Sequence, residues 1–465
     1  MPTRLNKTSS VPSLANLRTV ELAGWGGYPR VQSTVWEPRD SAELKRSFEK
    51  TTIVRGQGRS YGDAALSKTG IVVLSENLNR EQTLNDNGVF SAEAGTTIAQ
   101  VLNQVVPQGW FPAVVPGTKF VSLGGCLAAD VHGKNHHHVG SFAQHVLQFE
   151  LLLADEVGLS CSAQENVDAF SATAGGMGLT GIVTDVEMQL IPVETPFVVA
   201  QHHQAKDLEQ SLQILNDPRL DDEYSVVWLD CLAKGRRFGR GILIRGHHAR
   251  HDELPGGSET VRASRKFDLK FDFPSWVLTA QLLTAFNSLY YRYQGSRKTA
   301  FIQHYDDFFF PLDRIGSWPR MYGKRGFVQY QCLFPLAHSG QGVQLILEEL
   351  TETGRDSFLA VLKRFGPASQ GLLSFPFPGY TLTMDFPMSE DLLPFLNRLD
   401  EVVLRLGGRV YLAKDARLSA DNFKLMYPRL DEWRSLKAIL DPHNVFQSDL
   451  SRRLELTPAD KPLNP

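Results

Sequence analysis

Four histidines fall within seven residues of DVHGKNHHHVGSF (130–142): His132, His136, His137 and His138. Two imidazoles four apart on one helix face, as His132 and His136 would be, can pinch a zinc ion, the spacing used by H-E-x-x-H enzymes. That chemistry needs a glutamate beside the first histidine as base, and Gly133 stands there. Glycine also disfavours the helix that would align the pair. Three readings stay open: a metal site, a site for a non-metal ligand, or a polar loop whose imidazoles bond backbone and water. Spacing alone does not choose among them.

Three glycine clusters accompany the histidines: Gly56/Gly58/Gly62, Gly117/Gly124/Gly125 and Gly175/Gly176/Gly178/Gly181. Glycine permits positive φ and close approach of backbone N–H groups to a ligand. Successive N–H groups turned into one concavity form an anion nest. Three such loops in one region suggest a cradle for a diphosphate; singly, each is accounted for as a tight turn. None is a Rossmann fingerprint, because no G-x-G-x-x-G opens a helix after the first strand.

A third set is polar and extended. In FVQYQCL, Gln329 and Gln331 share a face, as do Thr381, Thr383 and Asp385 in YTLTMDFP. Lys363 ends LAVLK, and GGRVYLAKDARL reads as a strand ending in Lys414 and Asp415. Such a stripe is either the solvent side of a sheet or a surface for a hydroxylated substrate such as a sugar.

The elements that must position these groups fall into two rhythms. Residues up to about 195 read as short strands broken by glycine turns: TTIVRG, GIVVLS, GVFSAEAG, a strand pair within HVLQFELLLADEVGLSCS, and a long strand after GGMG. An amphipathic helix over 96–109 is capped by Thr96 or Thr97 and followed by Gly109. The middle of the chain gives strands at YSVVWLDC, GRGILIRG, FVQYQCLFPL, SFLAVLKRFG and YTLTMDFPM, with helices over roughly 340–353 and 389–406, the second capped by Ser389. That ratio predicts an antiparallel sheet with helices on one face. Residues 247–300 are the least regular, and HHARHDELPGGSETVRASRK reads as a mobile loop. The tail gives a helix, a turn at Asp441–Pro442 and a basic end.

Composition bounds the function. A net charge of -3 over 465 residues gives no electrostatic footprint for nucleic acid. Cys126, Cys161, Cys231 and Cys332 are scattered without a C-x-x-C pair, so neither a disulfide framework nor a zinc ribbon is expected. Residues 1–20 lack the apolar core of a secretory leader, and no apolar run approaches the ~18 residues of a spanning helix. A cytoplasmic protein with at most peripheral membrane contact is the expectation.

The blocks RGQGRSYGD, VPGTKFVSLGGCLAADVHGKNHH, GGMGLTGI, RFGP, LSFPFPG, YLAKDAR and MYPRLDEW, in this order and spacing, carry a resemblance. The chain resembles FAD flavoproteins of the vanillyl-alcohol-oxidase type, and within them the decaprenylphosphoryl-β-D-ribose 2′-oxidase family of cell-wall arabinan synthesis. The likeness implies an α+β, two-domain fold: an FAD-binding domain of the PCMH type over 1–194 and 409–465, and an antiparallel-sheet substrate domain over 195–408. It implies FAD held by Val54, Arg55, Gly56, Gln57, Gly58, Arg59, Ser60, Tyr61, Gly62, Asp63 and Ala64. A second group comprises Gly117, Ser122, Leu123, Gly124, Gly125, His132, Gly133, Lys134 and Asn135, with Val183, Tyr411 and Lys414 completing the set. His132 is then a flavin-side residue rather than a metal ligand, and no metal is expected.

The same resemblance implies oxidation of the 2′-hydroxyl of a polyprenylphosphoryl pentose to a ketone, the first half of an epimerisation that a separate NAD(P)H-dependent reductase completes. Lys414 is the expected electrostatic stabiliser, with His132 or Tyr61 assisting the proton. Gln329, Gln331, Lys363, Thr381, Thr383 and Trp228 match substrate-side positions. Where many relatives attach FAD through a histidine, this chain has Arg59, whose guanidinium cannot form that bond but can grip a phosphate; FAD should be bound without a covalent link. Thr383 replaces a cysteine that nitroaromatic inhibitors trap in the family, Thr381 replaces an asparagine, and Phe309 a tyrosine. These departures bear on the exact substrate. An alditol or aldonolactone oxidase of the same fold is the alternative, followed by a non-flavin metal hydrolase or carbohydrate-binding protein.

Overall fold

Three sheets organise the computed structural model, which describes residues 17–44, 48, 50–254, 266–274, 279–297, 299–355, 357 and 360–457. In the first, β1 (Arg18–Ala23) and β2 (Arg30–Trp36) pair antiparallel, while β3 (Thr52–Arg55) and β4 (Ile71–Leu74) run parallel to each other and β4 runs parallel to β2. Ile71, Val72 and Val73 are all buried, as in a strand covered on both faces. The second sheet is antiparallel and holds β5 (Gln82–Leu84), β6 (Val89–Glu93), β7 (Trp110–Pro112), β8 (Val146–Leu152), β9 (Gly158–Ser162) and β10 (Ile182–Pro192), with β10 central.

Short helices carry the loops between these strands. α1 (Ile98–Val105) buries Ile98, Val101, Leu102 and Val105 at helical spacing. Thr97 and Gln100 close a capping box at its start. α2 (Leu123–Ala128) and α3 (His136–Val139) bracket the histidine segment, and α4 (Val167–Thr173) precedes the third glycine cluster.

The second lobe is one antiparallel sheet of eight strands. Its members are β11 (Phe197–Ala205), β12 (Tyr224–Leu229), β13 (Gly241–His248), β15 (Phe301–His304), β17 (Phe327–Pro335), β18 (Ala360–Phe365), β19 (Gly379–Pro387) and β20 (Arg409–Val410), ordered β15-β11-β13-β12-β18-β19-β17-β20. Two-residue strands β14 (Phe267–Asp268) and β16 (Ile315–Gly316) pair apart from it. α5 (Leu208–Leu215), α8 (Ser339–Thr353) and α9 (Leu392–Arg405) pack on the sheet; Val343, Ile346, Leu347 and Leu350 of α8 and Leu392, Leu396, Leu399 and Val403 of α9 are buried against it.

The expectation of helices on one face alone is corrected by α6 (Ala280–Gly295), which crosses β11 and β13 and sets Tyr290 against Trp228. α6 lies in the stretch that read as irregular, because much of its apolar stripe faces outward and gives no core signal. Of the stretch 247–266 that reads as a mobile loop, His247 and His248 end β13 and His251–Glu253 form a 3-10 turn, while 255–265 lie outside the described residues. Ser389 does not cap α9: its hydroxyl donates to the Asp391 carboxylate, and Asp391 holds the cap position. The strand expected to reach Lys414 stops at Val410, where the chain turns through Lys414 N–H to the Tyr411 carbonyl.

After α7 (Tyr305–Phe309) and the last strands of the eight-stranded sheet, the tail returns to the first lobe as α10 (Ala420–Met426), α11 (Leu430–Leu440) and α12 (Asp449–Arg453). Trp433, fully buried, donates its indole N–H to the Ala172 carbonyl at 2.9 Å, and Thr52 N–H donates to the Val445 carbonyl at 2.7 Å. β20 pairs with β17 in the eight-stranded sheet, and the chain beyond it packs on the first lobe. Cys126, Cys161, Cys231 and Cys332 are all buried.

Candidate active site

The loop leaving β3 turns at Gly58, whose φ of +61° suits glycine. It is clamped to the tail: Tyr61 N–H donates to the Ala413 carbonyl at 2.9 Å, and a Cβ on Gly62 would stand 1.8 Å from the Asp415 carbonyl oxygen. Arg453 completes the clamp, gripping Asp63 through Nε at 2.9 Å and Nη2 at 2.7 Å while reaching Asp415 at 2.9 Å. Opposite, Ser122 caps α2 by accepting from Gly125 N–H. Arg59 sits over Trp25, its guanidinium carbon 3.7 Å from the ring centre, and donates Nε–H to the Phe120 carbonyl.

Between the loops and the eight-stranded sheet lies a cavity of about 530 Å³, within the ~300–1,000 Å³ of small-molecule sites. Val54 to Gly62, Ala64, Gly117, Ser122, Gly124, Gly125 and Val183 line one end. His132, Lys134, Trp228, Gln329, Gln331, Lys363, Thr383, Tyr411 and Lys414 line the other. A Cβ on Gly117 would meet nothing within 4 Å, so this stretch of backbone faces open space. Glycine-rich walls beside an apolar slot, with arginines 55 and 59 at hand, fit a dinucleotide with its diphosphate and ring system.

The polar end is highly organised. Gln329 donates to Asp385 at 2.6 Å, and Tyr322 donates to the other Asp385 oxygen at 3.3 Å. Gln331 donates one amide N–H to Thr381 Oγ1 at 3.0 Å; its amide nitrogen also stands 3.0 Å from His132 Nε2. With both amide hydrogens so used, His132 Nε2 accepts and the ring carries its proton on Nδ1. Burial, with Lys363, His136 and Lys414 nearby, holds the His132 ring far below its usual range, hence neutral. Burial and Asp385 push Tyr61 well up, so its hydroxyl stays protonated.

Lys414 stands over the Tyr61 ring with Nζ 3.9 Å from its centre, and no hydrogen-bond acceptor for it occurs among the described residues. Burial brings its amine down to about 7, against the pull of Asp385; Lys363 comes down to about 8, and Asp385 is raised to about 6. Lys134 donates to the Phe308 carbonyl and is also lowered to about 7 by burial. An amine near neutrality beside a carboxylate is a proton-handling pair.

Five expected residues stand behind this lining. Asp63 is spent on Arg453, Leu123 is core, and Gly133 is crowded by the Asn135 side chain. Asn135 donates to the Ala113 carbonyl, and Thr381 donates to the Cys332 carbonyl while accepting from Gln331. These contacts make them supports, not walls. Sequence reading passed over Trp25, Asp313, Trp318, Phe286 and Tyr290, all on the lining. Only the aromatic richness of their stretches signalled them.

The buried imidazoles have a consequence for stability. Burial lowers His136 to about 3 and His137, His202 and His248 to about 4. Below the ordinary histidine value of ~6.5 the unfolded chain gains protons that the fold refuses, so stability falls as pH falls from that value towards these. The melting temperature should drop between pH 7 and pH 5, above the carboxylate range. A flat profile over that window contradicts these neutral imidazoles.

Comparison with known proteins agrees with the geometry. The family described as "FAD binding domain" matches residues 36–162, and the family described as "D-arabinono-1,4-lactone oxidase" matches residues 380–454. The decaprenylphosphoryl-beta-D-ribose oxidase of Mycolicibacterium smegmatis is 36% identical over 455 residues, covering 94% of this chain and 98% of that protein. An uncharacterized Streptomyces coelicolor protein is 35% identical over 376 residues, 77% of this chain and 100% of its own. The L-gulonolactone oxidase of Scyliorhinus torazame is 23% identical over 455 residues, 91% of this chain and 93% of its own.

Proposed function

Since the chain belongs to the decaprenylphosphoryl-β-D-ribose oxidase family of FAD-dependent oxidases, we propose that it oxidises the 2′-hydroxyl of a polyprenylphosphoryl pentose to the ketone. The observation that carries this reading is the polar wall of Gln329, Gln331, Lys363 and Thr383 facing the glycine loops, with Lys414 unspent between them. Bound FAD supplies the hydride acceptor. Lys414, as amine, takes the hydroxyl proton and, as ammonium, holds the oxygen as its carbonyl forms. Asp385, pinned by Gln329 and Tyr322, keeps that ammonium favoured. His132, its Nε2 engaged by Gln331, orients rather than abstracts, and Tyr61 donates. Trp228 and the Gln331–Thr381 pair shape the sugar's seat.

The test is turnover of purified protein with a polyprenylphosphoryl ribose against free alditols and aldonolactones. Turnover confined to the lactones overturns the sugar-lipid reading and leaves the aldonolactone alternative. An NAD(P)H-dependent reductase is the partner class that this ketone requires for epimerisation to the arabinose donor.

FAD is held here without a covalent bond, because Arg59 occupies the attachment position and is seated on Trp25. Acid precipitation should release all the flavin to the supernatant; a yellow pellet counts against it.

The lipid end of the substrate points to α6. Leu282, Phe286, Leu289 and Tyr293 form one exposed stripe at helical spacing, Leu289 being 69% exposed, while Phe286 and Tyr290 line the cavity. No helix among the described residues is long and apolar enough to cross a membrane. We infer peripheral contact through this stripe, at the membrane face where the prenyl chain is anchored. Vesicle co-sedimentation should fall several-fold in Leu289→Glu; equal sedimentation of both forms removes α6 from the contact.

A further inference from the structure

His137 and His138 have no part in the oxidation. They sit on α3, and their Nε2 atoms each lie 3.3 Å from the same oxygen, Asp221 Oδ1. The two rings stand 4.1 Å apart, centre to centre. His137 is buried, its side chain 5% exposed, and its Nε2 finds no hydrogen-bond partner among the described residues. His138 and Asp221 are 42% and 38% exposed, so the cluster opens to water on one side. All three donor atoms lie within 4.8 Å of one another.

The spacing has a direct meaning. Ligand atoms ~2.0–2.1 Å from a tetrahedral zinc are separated by roughly 3.3–3.4 Å. Both nitrogen-to-oxygen distances match that edge, though the His137 contact lacks the alignment of a hydrogen bond. We propose that His137, His138 and Asp221 bind a divalent cation of the zinc class, with water completing its shell.

Two imidazoles and a carboxylate form a borderline donor set that selects zinc over calcium or magnesium. The position also gives the ion a task. α3 follows directly on the His132–Asn135 segment, whereas Asp221 stands just before β12 of the eight-stranded sheet. A bound ion would tie the two lobes beside the cavity.

The probe is zinc ion alone, titrated calorimetrically into untagged, EDTA-treated holoenzyme at neutral pH. One equivalent should bind with micromolar or tighter affinity and raise the melting temperature. His138→Ala and Asp221→Asn, both at the surface, should each weaken binding by about tenfold or more and abolish the thermal shift. Absence of saturable binding overturns the proposal. So does binding that survives either substitution unchanged, which would send the zinc to other histidines such as His203 or His247.

Discussion

Lys414→Ala should fold, hold its flavin and lose turnover by roughly 10²–10³, the usual cost of removing one preorganised donor from developing charge. The amine is unspent in the fold, so its removal orphans no partner. It also deletes a cation that burial disfavours, so the melting temperature of the variant should not fall. Stopped-flow reduction of the flavin under saturating substrate isolates the step. A variant with near-normal reduction would remove Lys414 from the chemistry; one that loses its flavin would make it a cofactor anchor instead.

Arg453→Ala should have the largest effect on stability. Arg453 pairs with Asp63 and Asp415, whose side chains are 7% and 1% exposed. Burial pushes the Asp63 carboxyl up; at Asp415 burial is overcome, and Arg453 and Arg417 hold the carboxyl below its usual range. Deleting the guanidinium removes the only side-chain partner of Asp63 found among the described residues and leaves Asp415 with Arg417 and two backbone N–H groups. Breaking a buried pair this way costs about 3–5 kcal/mol. Urea unfolding should show that loss, with faster escape of FAD, because Asp63 sits within the loop that frames the cavity. Arg453→Lys should recover little, since one ammonium cannot reproduce the fork that holds Asp63 bidentately. An unchanged urea midpoint in Arg453→Ala would show that water already screens the pair.

These two residues also mark where the sequence was legible. Lys414 could be singled out because it sits in a dense local block with a family likeness. The strands of the eight-stranded sheet were readable from alternation, and the period of two gave the shared face of Gln329 and Gln331 and that of Thr381, Thr383 and Asp385; the register of β17 and β19, which joins the two sets by pairing Gln329 with Asp385 and Gln331 with Thr383, was not. The glycine clusters were readable because backbone geometry restricts what replaces them. Arg453 was not readable: its partners lie 390 residues away at Asp63 and 38 away at Asp415, and no local pattern encodes that distance. α6 was lost because an outward apolar stripe breaks the core periodicity on which helix reading depends. Asp385 was placed on the right face, but its role in steadying Lys414 comes from Gln329 and Tyr322, which only the folded register assembles. The histidine run was the hardest case, since one stretch of sequence faces two ways: His132 into the cavity, and His137 and His138 towards Asp221.

The clamp between the first glycine loop and the tail has a consequence in time. Tyr61 leans on Ala413, Gly62 on Asp415, Asp63 on Arg453, and Thr52 on Val445. Each pair joins one end of the chain's synthesis to the other, the kind of remote contact that slows folding. The loop residues leave the ribosome early, yet the surface that holds them is made hundreds of residues later. A nascent chain therefore lacks the tail's half of this clamp while the loop is already made. This wall of the cavity takes its final shape only once residue 453 has been translated and docked.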